Sequence, residues 1–220
     1  MKFSDRYILI FLFLVVMLGA CKKSDNDDDN TLLALILAQS TASAPCTTRC
    51  HIFLSSNVMG TPGVGGITGA DAICNGDVNR QRGKTYKAMV SVPGVREVLG
   101  NPTGTLTYTD WVFKASTFYS NSTDSSNTTG ATTTANRIFR DSNTTMQMNF
   151  ALGTNGTRFW TGITITGGNL ANSTDNCSNW ASINGGVSGV TGVVGASTTS
   201  LVDATTNACN TSARIVCVEQ

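Results

Sequence analysis

One short stretch carries much of the fold information in this chain, and it reads Gly65-Gly66-Ile67-Thr68-Gly69-Ala70-Asp71-Ala72-Ile73-Cys74. Thr68 is a residue type that caps helix N-termini, and Asp71 follows three positions later, as in a short capping box. Ala70, Ile73 and Cys74 then recur at the spacing of one helix face. The stretch therefore predicts a helix that turns Cys74 towards the core.

Apolar runs on either side of this helix predict β-strands. One precedes it at residues 51–54, and two follow at residues 86–92 and 159–163, the first of these ending at Pro93-Gly94. The last run, residues 214–218, has apolar side chains at successive positions, so both of its faces would be buried. That pattern predicts a central strand close to the chain end.

The remaining sequence is poor in charge and rich in small polar residues. Only 13% of the chain is charged, 22 of 220 residues are glycine, and Ser, Thr and Asn crowd stretches such as residues 119–136. Such stretches are typical of loops, so we expect a loop-rich fold with little helix. The net charge of +1 offers no field for nucleic acid, which is therefore not an expected partner.

The amino terminus has the layout of a lipoprotein signal peptide. Basic residues precede an apolar run at residues 7–18 that is too short to span a bilayer, and the small pair Gly19-Ala20 stands before Cys21. Cleavage would leave Cys21 to receive a diacylglycerol, whose two acyl chains suffice for a stable membrane anchor. The chain would then comprise a signal peptide (1–20), a lipidated cysteine with a flexible tether (21–45) and one domain (46–220).

Six cysteines remain after Cys21, and an even number outside the cytoplasm predicts disulfide bonds. Six cysteines allow 15 connectivities, and spacing alone does not choose among them. Cys46 and Cys50 bracket three residues and could close a local loop.

Seven motifs are distributed over the domain: His51-Ile52-Phe53, residues 65–74, Tyr86-Lys87-Ala88, Asp110-Trp111-Val112, Trp160-Thr161-Gly162, Asn176-Cys177-Ser178-Asn179-Trp180 and Cys217-Val218-Glu219-Gln220. Together they resemble the endostatin-like lipoprotein family of leptospiral spirochaetes, from Cys50 to the carboxyl terminus. The segment Gly-Ala-Asp-Ala-x-Cys and the terminal Cys-Val-Glu-Gln are the most specific parts of this resemblance.

The resemblance implies an α+β fold of the C-type-lectin-like or endostatin-like type, loop-rich, disulfide-bonded and with its first and last strands paired. It also implies two disulfide bonds, Cys74–Cys217 and Cys177–Cys209. Cys46–Cys50 is then left by subtraction.

The same resemblance implies a function, because members of that family bind extracellular-matrix components and complement regulators of the host. We therefore expect an adhesin-like, non-catalytic lipoprotein, anchored in the outer membrane and exposed at the cell surface. Two alternatives stay open: a structural or housekeeping envelope lipoprotein that faces the periplasm, and a calcium-independent glycan-binding module.

Enzymatic and metal sites find little support in the sequence. His51 is the one histidine, no Gly-x-Ser-x-Gly motif occurs, and the calcium-binding tripeptides of lectins are missing. Asp175, near two asparagines, is the best remaining calcium candidate, although a turn-capping role is favoured. Cys46 to His51 is one residue too long for haem attachment, which favours a local disulfide. We expect no enzyme, no metal and no cofactor.

The candidate ligand-binding residues are four cations that follow the predicted helix within eight positions: Arg80, Arg82, Lys84 and Lys87. They could contact sulfated glycans or an acidic face of a host protein, but a solvated connection is the favoured interpretation. Trp111, Trp160 and Trp180 are candidate interface anchors. The last two lie beside structural motifs, which favours a place in the core.

Overall fold

A computed structural model describes residues 45–58, 65–124, 127–139, 146–202 and 205–220. These residues lie within the unit Ser43–Gln220. The predicted signal peptide, the lipidation site Cys21 and the tether up to residue 44 fall outside the described residues. Within the described part of the chain, no helix is long and apolar enough to cross a membrane.

Fourteen strands and two helices follow one another along the described chain. In order they are β1 (Arg49–Leu54), α1 (Gly66–Gly76), β2 (Tyr86–Ala88), β3 (Glu97–Gly100), β4 (Leu106–Thr109), β5 (Phe118–Ser120), β6 (Ala131–Thr132), β7 (Gln147–Met148), β8 (Arg158–Trp160), β9 (Ile163–Thr166), β10 (Asn169–Asn172), α2 (Cys177–Trp180), β11 (Ser188–Val194), β12 (Thr199–Ser200), β13 (Thr206–Ala208) and β14 (Arg214–Glu219).

The predicted α+β, C-type-lectin-like or endostatin-like fold is wrong. The structure is 36% strand and 9% helix, and its larger sheet is barrel-like and nearly closed. The polar stretch at residues 119–136, which indicated a loop, contributes to β5 and contains β6, strands of three and two residues. Strands this short show too little alternation for sequence periodicity to reveal them.

The larger sheet has ten strands in the described residues, with the path β6-β5-β1-β14-β8-β11-β12-β7, and with β2 on β14 and β13 on β11. β1 and β14 pair antiparallel, so the first and last strands are neighbours. The two strands that end the path both line one cavity of about 300 Å³, where the barrel stays open. A separate sheet follows the order β4-β3-β10-β9.

The prediction of a central last strand is confirmed. β14 lies between β1 and β8, and its side chains alternate between two cores. Val216 and Val218 belong to the larger core inside the curved sheet. Ile215 and Cys217 belong to a second core beneath α1. Successive residues of a strand point to opposite faces, which explains why the run is apolar throughout.

The other predicted strands are confirmed only in part. Residues 51–54 lie in β1, whereas the run at 86–92 is a strand only as far as Ala88. The run at 159–163 is broken into β8 and β9 by Gly162, whose φ of +66° is a conformation that side chains disfavour. A Cβ there would also stand 2.8 Å from the Trp180 ring.

The predicted helix is present as α1, and Cys74 is fully buried on it. Its capping differs from the prediction, because Gly65 is the N-cap in a left-handed conformation and no side chain caps the helix. Thr68 lies inside the helix and Asp71 has another partner. A glycine cap supplies the unusual backbone angle without a steric penalty.

Three disulfide bonds cross-link the domain: Cys46–Cys50, Cys74–Cys217 and Cys177–Cys209. The second and third are the pairs that the family resemblance implied, and the first is the pair that was left by subtraction. The second joins α1 to β14 across 143 positions of sequence. It therefore ties the helix that carries Asp71 to the strand that carries Glu219.

The segment α2 is a turn of left-handed backbone. Cys177, Ser178, Asn179 and Trp180 have φ values of 52°, 53°, 58° and 64°, a conformation that costs L-residues about 1–2 kcal/mol each. The Asn176 side chain accepts a hydrogen bond from the Asn179 N–H at 2.9 Å. The Trp180 indole donates to the Ser91 carbonyl at 3.0 Å. These contacts and the disulfide at Cys177 hold the turn in place.

Candidate functional site

A cleft of about 600 Å³ opens beside β1 and is the strongest candidate site. His51 and Phe53 of β1 form its floor, the loop after α1 supplies residues 78–80, and the segment after β5 supplies residues 121–123. Leu54 and Leu152 complete the lining. Its size lies in the range of small-molecule sites, which is roughly 300–1,000 Å³.

His51 is the single histidine of the chain and is only 4% exposed. Its ring stacks on Phe53 with centroids 5.3 Å apart, and its Nδ1 lies 3.0 Å from the Tyr86 hydroxyl. Burial lowers its pKa below the ordinary value, and this outweighs the hydrogen bond to the Asn121 carbonyl and the charge of Glu219. The ring is therefore uncharged at neutral pH.

Glu219 is the carboxylate that contacts His51, and it is 2% exposed. One oxygen accepts the backbone N–H of His51 at 2.7 Å. The other pairs with the Lys84 ammonium at 3.0 Å. Burial also raises the pKa of Tyr86 to about 12, so this hydroxyl stays protonated. The contacts of His51 with Tyr86 and Glu219 thus connect the strands β1, β2 and β14.

The loop after α1 is positioned by Asp77, which is 3% exposed. One of its carboxylate oxygens accepts the N–H and the hydroxyl of Ser56 at 2.6 and 2.9 Å. The other accepts the N–H of Asn79 at 2.9 Å. These bonds fix the backbone that presents Val78 and Arg80 to the cleft, and Val78 is 84% exposed.

Arg80 is an exposed cation at the cleft. No ion pair or side-chain hydrogen bond engages its guanidinium within the described residues. None of the described residues that line the cleft is acidic. The site therefore combines one free cation with amides and hydroxyls on the facing walls.

The four cations predicted as a binding cluster do not share one role. Lys84 pairs with Glu219, and Lys87 pairs with Asp110. Arg80 lines the cleft, while Arg82 is exposed and outside the cleft lining. Only half of the cluster is thus available to a ligand.

Arg96 is an important residue that the sequence did not single out. It is 1% exposed and its guanidinium binds both carboxylate oxygens of Asp71, at 2.7 and 2.8 Å. It also binds Asp110 at 2.7 Å and the Ala88 carbonyl at 2.9 Å. Asp71, predicted as a helix-capping partner, instead joins α1 to the segment before β3. Both carboxylates are distant in sequence, so no local pattern indicated this cluster.

The remaining candidates are Asp175 and three tryptophans, and the structure shows backbone hydrogen bonds for the first and burial for the others. The Asp175 backbone N–H bonds the Ser173 hydroxyl at 3.0 Å and its carbonyl accepts the Val190 N–H at 2.9 Å. In the described ranges, no three His, Cys, Asp or Glu side chains form a group that could hold a metal ion. Trp111, Trp160 and Trp180 are 7%, 1% and 2% exposed, so none is a free interface anchor.

The chain matches the model of the family described as protein of unknown function, DUF1554, over residues 57–199, and it belongs to that family. The match includes most of the cleft but not His51, Phe53 or Leu54. No curated protein matches the chain. The family match makes no link to the leptospiral endostatin-like lipoproteins, so that resemblance stays a prediction.

Proposed function

We propose that this domain is a non-catalytic binding module whose ligand occupies the His51 cleft. The observation that carries the proposal is the Arg80 guanidinium, which has no ion pair among the described residues and lies at a cleft whose described lining holds no acidic residue. A cation that has no protein partner and lies next to fixed polar groups is suited to binding a ligand from solution. The rigid floor limits the ordering cost of binding.

A binding role suits the chemistry of the floor better than catalysis. The uncharged His51 ring contacts Tyr86, whose hydroxyl is held protonated, and the nearby Glu219 is already paired with Lys84. General acid–base work needs a group free to exchange protons with a substrate. Each of these groups has a structural partner instead.

The amino-terminal sequence supports a cellular location for this binding module. A lipid on Cys21 would anchor the chain in the outer membrane, and the tether would present the domain outside the cell. Together with the family resemblance, this supports an adhesin-like lipoprotein that binds host matrix proteins or complement regulators. Protease treatment of intact cells tests the exposure, because a domain that faces the periplasm would be shielded.

The binding test uses the purified, oxidised chain on immobilised fibronectin, laminin and factor H. We expect saturable binding to at least one of them, lost after reduction and alkylation. Arg80→Glu should weaken it, whereas the matched Arg82→Glu should bind like the parent. Absence of binding to all three would reject the adhesin proposal and favour an envelope protein without a host ligand.

A further inference from the structure

We propose that the cleft recognises the carboxylate-bearing sugar of an acidic glycan, such as a sialic or uronic acid residue. This inference rests on the proposed binding function and names the ligand chemistry of the same site. It follows from the charge of the cleft, the kind of polar groups on its walls and its position in the sheet.

The charge of the cleft suits one acidic group. Among the described residues Arg80 has no ion pair, whereas Lys84, four positions further along the chain, is paired with Glu219. A guanidinium binds a carboxylate through two parallel hydrogen bonds, which adds geometric selectivity to the attraction. A heavily sulfated chain would need several such cations, and the described lining holds a single one besides the neutral His51.

The walls suit the hydroxyl groups of a sugar ring. Asn79 and Asn121 supply amides, and Ser122 and Thr123 supply hydroxyls, so both donors and acceptors face the cleft. Asn121, Thr123 and Asn79 are exposed to solvent. Each of the two asparagine side chains donates one hydrogen bond to a backbone carbonyl, at 3.4 and 3.2 Å, which leaves the amide oxygen and the second N–H for a ligand. The exposed Val78 side chain offers an apolar surface for the C–H face of the ring.

An extended peptide fits this position less well. Peptide strands bind by adding to a free sheet edge. The strands nearest the cleft, β1 and β5, both lie inside the larger sheet, with β14 and β6 as their outer neighbours. Side-chain groups, not main-chain groups, therefore dominate the surface that a ligand meets.

The test takes advantage of the single histidine, because its ring gives one unambiguous NMR signal at the floor of the cleft. The oxidised full chain would be titrated with N-acetylneuraminic acid and with glucuronic acid. Glucose and N-acetylglucosamine serve as neutral controls. We expect a saturable shift of the His51 ring signals with at least one acidic sugar and a much weaker one with the neutral sugars.

Matched variants then assign the contact. Arg80→Gln should weaken the acidic sugar by roughly 10- to 100-fold, as expected for loss of a charge-assisted hydrogen-bond pair. Arg82→Gln should leave the affinity within about twofold, in line with a surface position away from the contact. Equal loss in both variants would overturn the inference, since it would indicate general charge attraction.

Host-protein binding separates this inference from the function on which it rests. Binding that survives enzymatic removal of sialic and uronic acid residues, with no shift of His51 by either acidic sugar, would overturn the inference and leave the binding function standing. Preference of the cleft for an acidic peptide would overturn it as well. Loss of host-protein binding after that treatment supports it.

Discussion

The cations after α1 fall into two groups that are close in sequence and differ in what holds them. Lys84 and Lys87 are about one third exposed, and each contacts a carboxylate from a distant part of the chain. Arg80 and Arg82 are exposed and have no ion pair in the described structure. A charged stretch therefore divides into structural and available residues according to partners that local sequence does not show.

The largest effect should come from the disulfide that joins α1 to β14, the strand that carries Glu219. Replacing Cys74 and Cys217 by alanine opens a loop of 143 positions, and chain entropy predicts a loss of about 5 kcal/mol in the free energy of unfolding. Urea unfolding would measure it.

The matched control removes Cys46–Cys50, which spans 4 positions, and the same arithmetic predicts a loss of about 2 kcal/mol. Equal losses for the two bonds would contradict the idea that the long cross-link between α1 and β14 stabilises the domain more than the short one.

Arg96→Met should be the most damaging charge substitution. It leaves Asp71 and Asp110 without their guanidinium, and breaking a buried pair costs about 3–5 kcal/mol. Because these carboxylates keep 24% and 38% exposure, we expect the lower end, about 3 kcal/mol. Chemical denaturation against Arg82→Met, for which a change within about 0.5 kcal/mol is expected, provides the comparison.

Lys84→Met should have an intermediate effect. It leaves the Glu219 side chain, which is 3% exposed, without its cation, although the His51 N–H still donates to it. Loss of one partner by a buried acceptor costs about 1–3 kcal/mol, and the remaining hydrogen bond from His51 keeps the cost in that range. A stability equal to that of the parent would show that the pair contributes nothing.

His51 should make a smaller contribution to the free energy of unfolding than the residues above, and the pH dependence of stability should show it. Burial lowers the pKa of His51 in the folded state below 6.5, so the unfolded chain takes up its proton first as the pH falls. The stabilisation that uncharged His51 contributes is fully present above pH 6.5 and is lost as the pH falls through the folded-state pKa. His51→Gln should flatten the urea midpoint between pH 7.5 and 5. An unchanged slope in this variant would contradict the assignment.

Several features could be predicted from sequence because they depend on local patterns. The apolar run in β14 indicated a strand buried on both faces, and the helix around Cys74 followed from its periodicity. The cap of that helix was mispredicted, because Gly65 in a left-handed conformation replaces the Thr68 and Asp71 pair. The fold class was mispredicted because strands of two or three residues give no periodic signal.

Most of the candidate site could not be predicted from the sequence. Arg80 was identified with three other cations, but its separation from Lys84 and Lys87 depends on Glu219 and Asp110, which are 135 and 23 positions from those lysines in the printed sequence. The cleft joins segments from β1, the loop after α1 and the end of β5. Only the three-dimensional arrangement brings these segments together.

The most direct test compares Arg80→Ser with Lys84→Ser in two measurements on the oxidised chain, the free energy of unfolding and the affinity for the bound host protein or acidic sugar. We expect Arg80→Ser to lose affinity and to keep a stability within about 0.5 kcal/mol of the parent. We expect Lys84→Ser to lose stability while its folded fraction keeps the affinity of the parent. The reverse pattern, or equal losses of affinity in both variants, would contradict the division between structural and available cations.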